Sequence, residues 1–269
     1  MKVAIIMSVY KHDRLDYFKL AVSSILNQTY NEFILFLCID GPIGESMNEY
    51  VDELELYENV IVFKSKINRG LAGSLNSLIE LVRLDGSFSY IARMDSDDIS
   101  YPSRIENQVS FMNKNSEIDI SGAYCNEFGS SIALDEKKVP LTHNDILQFS
   151  ISRCPLIHPT VIVRKTVFNE LIYPTNTHFS EDMSLWYNLI LKGYTFGNLD
   201  IPVVKFRIDE NTVSRRKGIN KGLSEFTLRY NYLKKSNQLS FKNVSLISRK
   251  LILPILPKKV ITLLYKKFR

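Results

Sequence analysis

The chain has 269 residues, 45% hydrophobic and 23% charged, enough to bury a sizeable core as one large domain or two small ones. That balance is ordinary for a soluble globular enzyme, and no internal repeat, low-complexity segment or membrane-spanning apolar run interrupts it. The net charge of +5 is unevenly placed: 11 Lys or Arg and no acid follow Glu225, so a body of 23 basic and 29 acidic side chains precedes a basic tail.

The apolar run Lys2–Val9 predicts a buried first strand and is too short for a signal peptide. Phe18, Val22, Ile25 and Leu26 then share one helical face. Phe33–Ile39 is almost wholly apolar, as a strand covered on both faces should be. Val51 and Leu54 indicate a helix, Val60–Phe63 a third strand, and Leu71, Leu75, Leu78, Ile79 and Val82 another helix. Tyr90–Met94 forms a fourth strand that runs straight into acidic residues. This alternation predicts an α/β fold with a mostly parallel sheet and helices on both faces, its ligands bound beyond the carboxyl ends of the strands. After Pro102 a helix runs to about Asn113, and a short strand lies near Ile118–Ala123. Residues 124–150 read as loops or a β-excursion, and Thr160–Arg164 as a strand. Met183, Leu185, Trp186, Leu189 and Ile190 then make an amphipathic helix with Glu181 and Asp182 in its first turn.

Asp95, Asp97 and Asp98 place three mutually repelling carboxylates within four residues at a strand end. Two readings are open: a turn whose aspartates cap the next helix, or a set of oxygen ligands neutralised by Mg²⁺ or Mn²⁺. Ser8-Val9-Tyr10 and Asp40-Gly41-Pro42 end the first two strands. Each alone is ordinary turn chemistry, but three such ends at one edge would line a crevice. Other chemistries lack their motifs. No G-x-G-x-x-G follows the first strand, and no Walker A loop, nucleophile elbow or zinc-ligand cluster is present. The cysteines, Cys38, Cys125 and Cys154, are odd in number and far apart, which favours a reduced cytosolic setting.

The ordered set of motifs resembles the inverting family 2 glycosyltransferases of GT-A fold. It comprises Ser8-Val9-Tyr10, Ser24-Ile25-Leu26-Asn27-Gln28-Thr29-Tyr30, Asp40-Gly41, Asn68-Arg69-Gly70-Leu71-Ala72 with Leu75-Asn76, and Ala92-Arg93-Met94-Asp95-Ser96-Asp97-Asp98. Pro102-Ser103-Arg104-Ile105, His158-Pro159-Thr160 and Glu181-Asp182-Met183-Ser184-Leu185-Trp186 follow, so the resemblance covers about residues 1–210. It is nearest to bacterial enzymes that build O-antigen or capsule repeat units.

The resemblance implies a metal-dependent transferase using Mn²⁺ or Mg²⁺ and a UDP-sugar. It points to Asp97, or else Asp95 or Asp98, as the metal ligand, with the remaining two on the ribose and donor sugar. Asp40 corresponds to a uracil-binding residue, Val9 and Tyr10 to the wall of its pocket, and Arg69 to a base- or phosphate-facing group. Asp182 matches the catalytic base, whose task is to take the acceptor hydroxyl's proton, and Glu181 an acceptor-side support. From its position alone Asp182 reads as a helix N-terminal acid, and only the motif makes it the base; His158 reads as a core or loop histidine. The implied acceptor is a polyprenyl-diphosphate-linked saccharide and the implied product a β-1,3-linked hexoside of glucose or galactose. A non-catalytic nucleotide-sugar- or membrane-binding module is the alternative.

The expected division is a catalytic domain over residues 1–215, with a nucleotide-sugar half at 1–100 and an acceptor half at 101–215, then a basic helical extension at 216–269. After Pro257, Val260, Ile261, Leu264 and Phe268 share a helical face, with Lys258, Lys259 and Lys266 on others. Such a cationic amphipathic helix suits an anionic membrane surface. The expected location is therefore cytoplasmic, held peripherally on the inner face of a bacterial plasma membrane. No nucleic-acid partner is expected, because the aromatic residues are not grouped for base stacking.

Overall fold

Eight strands hydrogen-bond into one sheet in the computed structural model, which describes residues 1–170, 172–177, 180–209, 219–252 and 256. The first half alternates β1 (Lys2–Val9), α1 (Leu15–Leu26), β2 (Phe33–Asp40), α2 (Glu45–Leu54), β3 (Val60–Ser65), α3 (Gly70–Leu84) and β4 (Phe88–Asp95). Then follow β5 (Ile99–Ser100), α4 (Arg104–Lys114), β6 (Ile120–Phe128), α5 (His143–Ser150), β7 (Ile162–Arg164), α6 (Glu181–Leu191) and β8 (Phe196–Arg207). The helices α7 (Ile219–Lys235) and α8 (Phe241–Ile252) complete the described elements. Strand order is β3-β2-β1-β4-β7-β6-β8-β5, parallel from β3 to β4 and again between β6 and β8, with antiparallel pairing at β4–β7, β7–β6 and β8–β5. This is the GT-A architecture, a curled and mostly parallel sheet flanked by helices.

The period-2 pattern of β1 explains the layering. Val3, Ile5, Met7 and Val9 face one core with α1, α2 and α4, whereas Ala4 and Ile6 face another with α3 and α6. Neither α1 nor α3 has a side-chain bond at its N-cap, a device worth about 1 kcal/mol. Burial decides instead: Phe18, Val22, Ile25, Leu75, Leu78 and Ile79 are wholly buried, each worth about 1.5–3 kcal/mol. The hairpin of α7 and α8 joins the second core through Tyr232, Leu233 and Ile247.

Two elements carried no clear periodic signal. The strand β8 pairs with β6, but the register jumps from Ala123↔Leu199 to Tyr124↔Pro202, so Asp200 and Ile201 are extruded and alternation breaks. The helix α5 lies within the stretch read as loops or a β-excursion. It buries only Ile146 and Ser150 and is started by Thr142, whose hydroxyl accepts from Asp145 N at 3.3 Å. A narrow apolar face on eight residues leaves little periodicity to read. The residues Val260, Ile261, Leu264 and Phe268 lie outside the described residues.

Candidate active site

Parallel pairing brings the carboxyl ends of β1, β2 and β4 to one edge, because Ser8 is in register with Cys38 on one side and Asp95 on the other. The three punctuated strand ends therefore lie at one edge of the sheet. The ligand atoms of Asp95, Asp97 and Asp98 lie within 4.8 Å of one another. Burial and the neighbouring charge of Asp95 push the Asp97 carboxyl up to about 7, and the same causes hold Asp98 well above the usual carboxylate range. Asp98 is wholly buried, and one of its oxygens accepts from Arg207 N at 2.7 Å, while Oδ2 has no hydrogen-bond partner among the described residues.

Sequence reasoning overlooked several groups that set this field. Asp13, in the turn after β1, adds a fourth carboxylate; its Oδ2 accepts from Tyr10 N and Ser96 Oγ, both at 3.0 Å. Burial raises its carboxyl as well. Arg93 grips Asp95 through both terminal nitrogens, one bond measuring 2.6 Å. Arg207, at the end of β8, donates Nε to Asp97 O at 2.8 Å, while its guanidinium lies 3.6 Å from the ring centre of Tyr17 and 4.3 Å from that of Phe128. Four carboxylates meet the guanidiniums of Arg93 and Arg207, with the buried Arg104 guanidinium also in the field of Asp98 and Asp95, so acids outnumber bases at this turn. A divalent cation would offset that excess, and the oxygen-only donor set with a buried, unpaired Asp98 Oδ2 fits one.

The motifs around the aspartates act as a frame. Gln28 donates Nε2 to Ser100 Oγ at 3.1 Å and Tyr101 O at 2.9 Å, while its Oε1 accepts from Ile105 N at 3.1 Å. Ser24 Oγ accepts from Ser100 N at 2.9 Å, so the end of α1 fixes the segment leaving the acidic turn. Arg104, wholly buried, donates to Arg93 O at 2.7 Å and Gln108 Oε1 at 2.9 Å. Burial and the charge of Arg93 lower the Arg104 guanidinium to about 9, still protonated at neutral pH. Replacing Gln28 by Ala strands several buried partners, and a cost of about 2–3 kcal/mol is expected. Calorimetry should show Tm falling by roughly 5–10 °C. A fall of a degree or less would mean that water replaces the Gln28 amide.

At the β2 end, Asp40 Oδ1 accepts from Arg69 N at 2.7 Å, and Asn68 Nδ2 donates to Asp40 O at 3.2 Å. This close approach explains Gly41: its φ is +84°, and a Cβ there would lie 2.8 Å from Asn68 N. The Arg69 guanidinium donates to Ser77 Oγ at 3.2 Å. Tyr10 is exposed and stacks edge-on against His12, whereas the Val9 side chain is wholly inside the core and only its backbone reaches the edge. Strand order sets Asp40 two strands from Asp95, with β1 between them.

Across the acidic turn stands the start of α6. Asp182 Oδ1 accepts from Met183 N at 2.6 Å, and Cys154 Sγ donates to Oδ2 at 3.7 Å. Burial raises the Glu181 carboxyl, which also feels Asp182, Arg93 and Asp95, so this turn shares the field of the aspartate cluster. His158 accepts or donates at 2.8 Å to the Tyr173 hydroxyl, and burial holds its imidazole well below its usual range, in the neutral form. Asn76, from the Leu-Asn pair on α3, brackets the Tyr173 backbone with bonds of 2.8 and 2.9 Å. His158 is thus a neutral framework residue packed against Tyr173 and Trp186.

Residues 4–171 match the model of glycosyl transferase family 2, more than half of the chain. The chain belongs to this family. Among curated relatives, the amylovoran biosynthesis glycosyltransferase AmsE of Erwinia amylovora is 29% identical, covering 99% of this chain and 98% of its own. The UDP-Gal:alpha-D-GlcNAc-diphosphoundecaprenol beta-1,3-galactosyltransferase of Escherichia coli is 28% identical over 99% of this chain and 96% of its own. Two solved structures share the fold. S. aureus TarS 1-349 in complex with UDP-GlcNAc has a TM-score of 0.67 at 15% identity, covering 94% of this chain and 72% of that one. The mannosyltransferase PcManGT from Pyrobaculum calidifontis, in complex with GDP-Man and Mn²⁺, has a TM-score of 0.62 at 12% identity over 99% and 73%. This family 2 glycosyltransferase therefore resembles bacterial enzymes of polysaccharide biosynthesis along nearly its whole length.

Proposed function

We propose that this glycosyltransferase moves a hexose, glucose or galactose, from a UDP-sugar to a polyprenyl-diphosphate-linked saccharide with inversion, in O-antigen or capsule assembly. A β-1,3 linkage is the narrowest form of the reading. The observation that carries it is the placement of Asp95, Asp97 and Asp98 and the Glu181–Asp182 turn in one electrostatic field at the carboxyl edge of the sheet. The uridine donor and lipid-linked acceptor are favoured by the E. coli relative's name and by matching lengths, since the fold also serves a GDP-sugar in PcManGT.

In this reading residues 1–100 hold the donor and residues 101–215 the acceptor. Asp40, Arg69 and Tyr10, with the Val9 backbone, bind the nucleotide. Asp97, with Asp95 or Asp98, would hold Mn²⁺ or Mg²⁺, which supplies Lewis-acid neutralisation of the departing diphosphate. Asp182 accepts the proton from the acceptor hydroxyl as its oxygen bonds to the anomeric carbon, and the bond to UDP breaks with its electron pair leaving on the diphosphate. Glu181 supports the acceptor. Arg93, by holding Asp95 bidentately, keeps that carboxylate from turning away from its ligand.

Calorimetry with UDP-glucose, UDP-galactose and their N-acetyl forms, in Mn²⁺ and then in EDTA, tests the donor assignment. One metal-dependent binder is expected. Binding of GDP- or dTDP-sugars in its place would overturn the uridine assignment. The extension at 216–269 is assigned to the inner face of the plasma membrane, where a lipid-linked acceptor resides; among the described residues no helix is long and apolar enough to cross a membrane.

A further inference from the structure

The turn between α7 and α8 is held by caps at both ends. Asn237, at φ 55°, closes α7, with Gln238 N donating to Leu233 O at 2.9 Å and Asn237 N to Lys234 O at 3.4 Å, the paired bonds of a Schellman cap. Ser240 opens α8, its Oγ accepting from Asn243 N at 3.2 Å, and Asn243 Nδ2 returns a bond of 2.8 Å to Gln238 O. The side chains of Ser236, Ser240 and Asn243 are occupied in shaping the turn. Its apolar ones face outward: Leu239 is 43% exposed and Phe241 93%, the largest exposure of any large hydrophobic side chain among the described residues. Leu239 precedes the N-cap, a position that packs on the first turn of a helix, but Phe241 at the first helical position has no such role.

Lysines frame this tip. Lys234 and Lys235 end α7 and Lys242 begins α8, all exposed. No acid follows Glu225, and Glu225 is already engaged by Arg229 at 3.4 Å and Lys250 at 3.1 Å. Five side chains at a turn offer far less than the roughly 800 Å² per partner of an ordinary protein interface. They suit a bilayer, where an aromatic group enters the acyl boundary while ammonium groups rest among anionic headgroups. We propose that the α7–α8 tip, Leu239 and Phe241 with Lys234, Lys235 and Lys242, is the surface that docks this enzyme on an anionic membrane. The proposal rests on the lipid-linked acceptor of the preceding reading and gives that reading a site. It also ties the membrane to the chemistry, because Tyr232 of α7 stacks on Tyr187 of α6, ring centres 3.9 Å apart, and α6 carries Asp182 in its first turn.

Flotation of the full chain with phosphatidylcholine vesicles, with and without phosphatidylglycerol, tests this. Binding is expected on the anionic vesicles alone. Each lysine contributes about fivefold, so the triple variant K234Q/K235Q/K242Q should partition on the order of 100-fold more weakly. Phe241→Ser should lower partition on the order of tenfold, and Phe241→Trp should shift its emission to the blue on anionic vesicles only. Unchanged partition in the lysine and serine variants, equal binding to neutral vesicles, or loss of self-association instead of vesicle binding on Phe241→Ser would overturn the proposal. Nucleotide-sugar binding, measured on the same proteins, separates the two readings. Vesicle docking through the tip without any nucleotide-sugar binding sinks the transfer reading and leaves the tip. Donor binding with partition insensitive to the tip does the reverse.

Discussion

Asp97→Ala leaves donor turnover reduced on the order of 10²–10³-fold and no longer responsive to Mn²⁺, in an assay of UDP release across a metal titration. The expectation follows from charge. Asp97 sits among Asp95, Asp98 and Asp13, opposed by Arg93 and Arg207, and burial together with the charges of Asp95 and Asp13 raises its carboxyl, as in a cluster of acids that a cation would relieve. Removing one carboxylate removes a ligand but also relieves repulsion. The variant without metal should accordingly melt at the same temperature as the parent or above it, the usual trade between stability and a strained site. A large loss of stability would trace the lost activity to folding. Wild-type metal response in a stable variant would reassign the ligand to Asp95 or Asp98.

Asp182→Asn should remove transfer while leaving donor binding nearly intact. The substitution keeps the shape of the side chain, so Oδ1 can still accept from Met183 N, but the amide cannot take a proton from the acceptor. General-base assistance is worth on the order of 10²–10⁴-fold, and the loss should appear in kcat with acceptor saturating. The contrast with Asp97→Ala is the informative part: one variant loses the metal response, the other keeps it. If Asp182→Asn retains the parental rate, the base lies elsewhere, and Glu181, the neighbouring carboxylate with the raised pKa, becomes the group to replace.

The first half of the fold was legible because its chemistry is local. A strand buried on both faces must be apolar throughout, as Phe33–Ile39 is, and a helix on a sheet must repeat its apolar face, as Phe18, Val22 and Ile25 do. The acidic turn and the Glu181–Asp182 turn stood out because clustered carboxylates at element ends are conspicuous wherever they occur. The strand β8 was hidden by its extruded Asp200 and Ile201, and α5 by a face only two buried residues wide.

By itself, then, the sequence determined the alternation of elements, the family motifs and the split between an acidic body and a basic tail, since each depends on residues near one another in the chain. Only the tertiary structure decided which groups share the field of the aspartates. Asp13 and Arg207 lie far from Asp97 in the chain and meet it through the turn after β1 and the end of β8. Tertiary packing likewise turned the Val9 side chain into the core, made Gln28 a brace for the acidic turn, and left Phe241 bare among lysines. Coulomb and hydrogen-bond energies depend on separation in space, and separation in sequence does not report it.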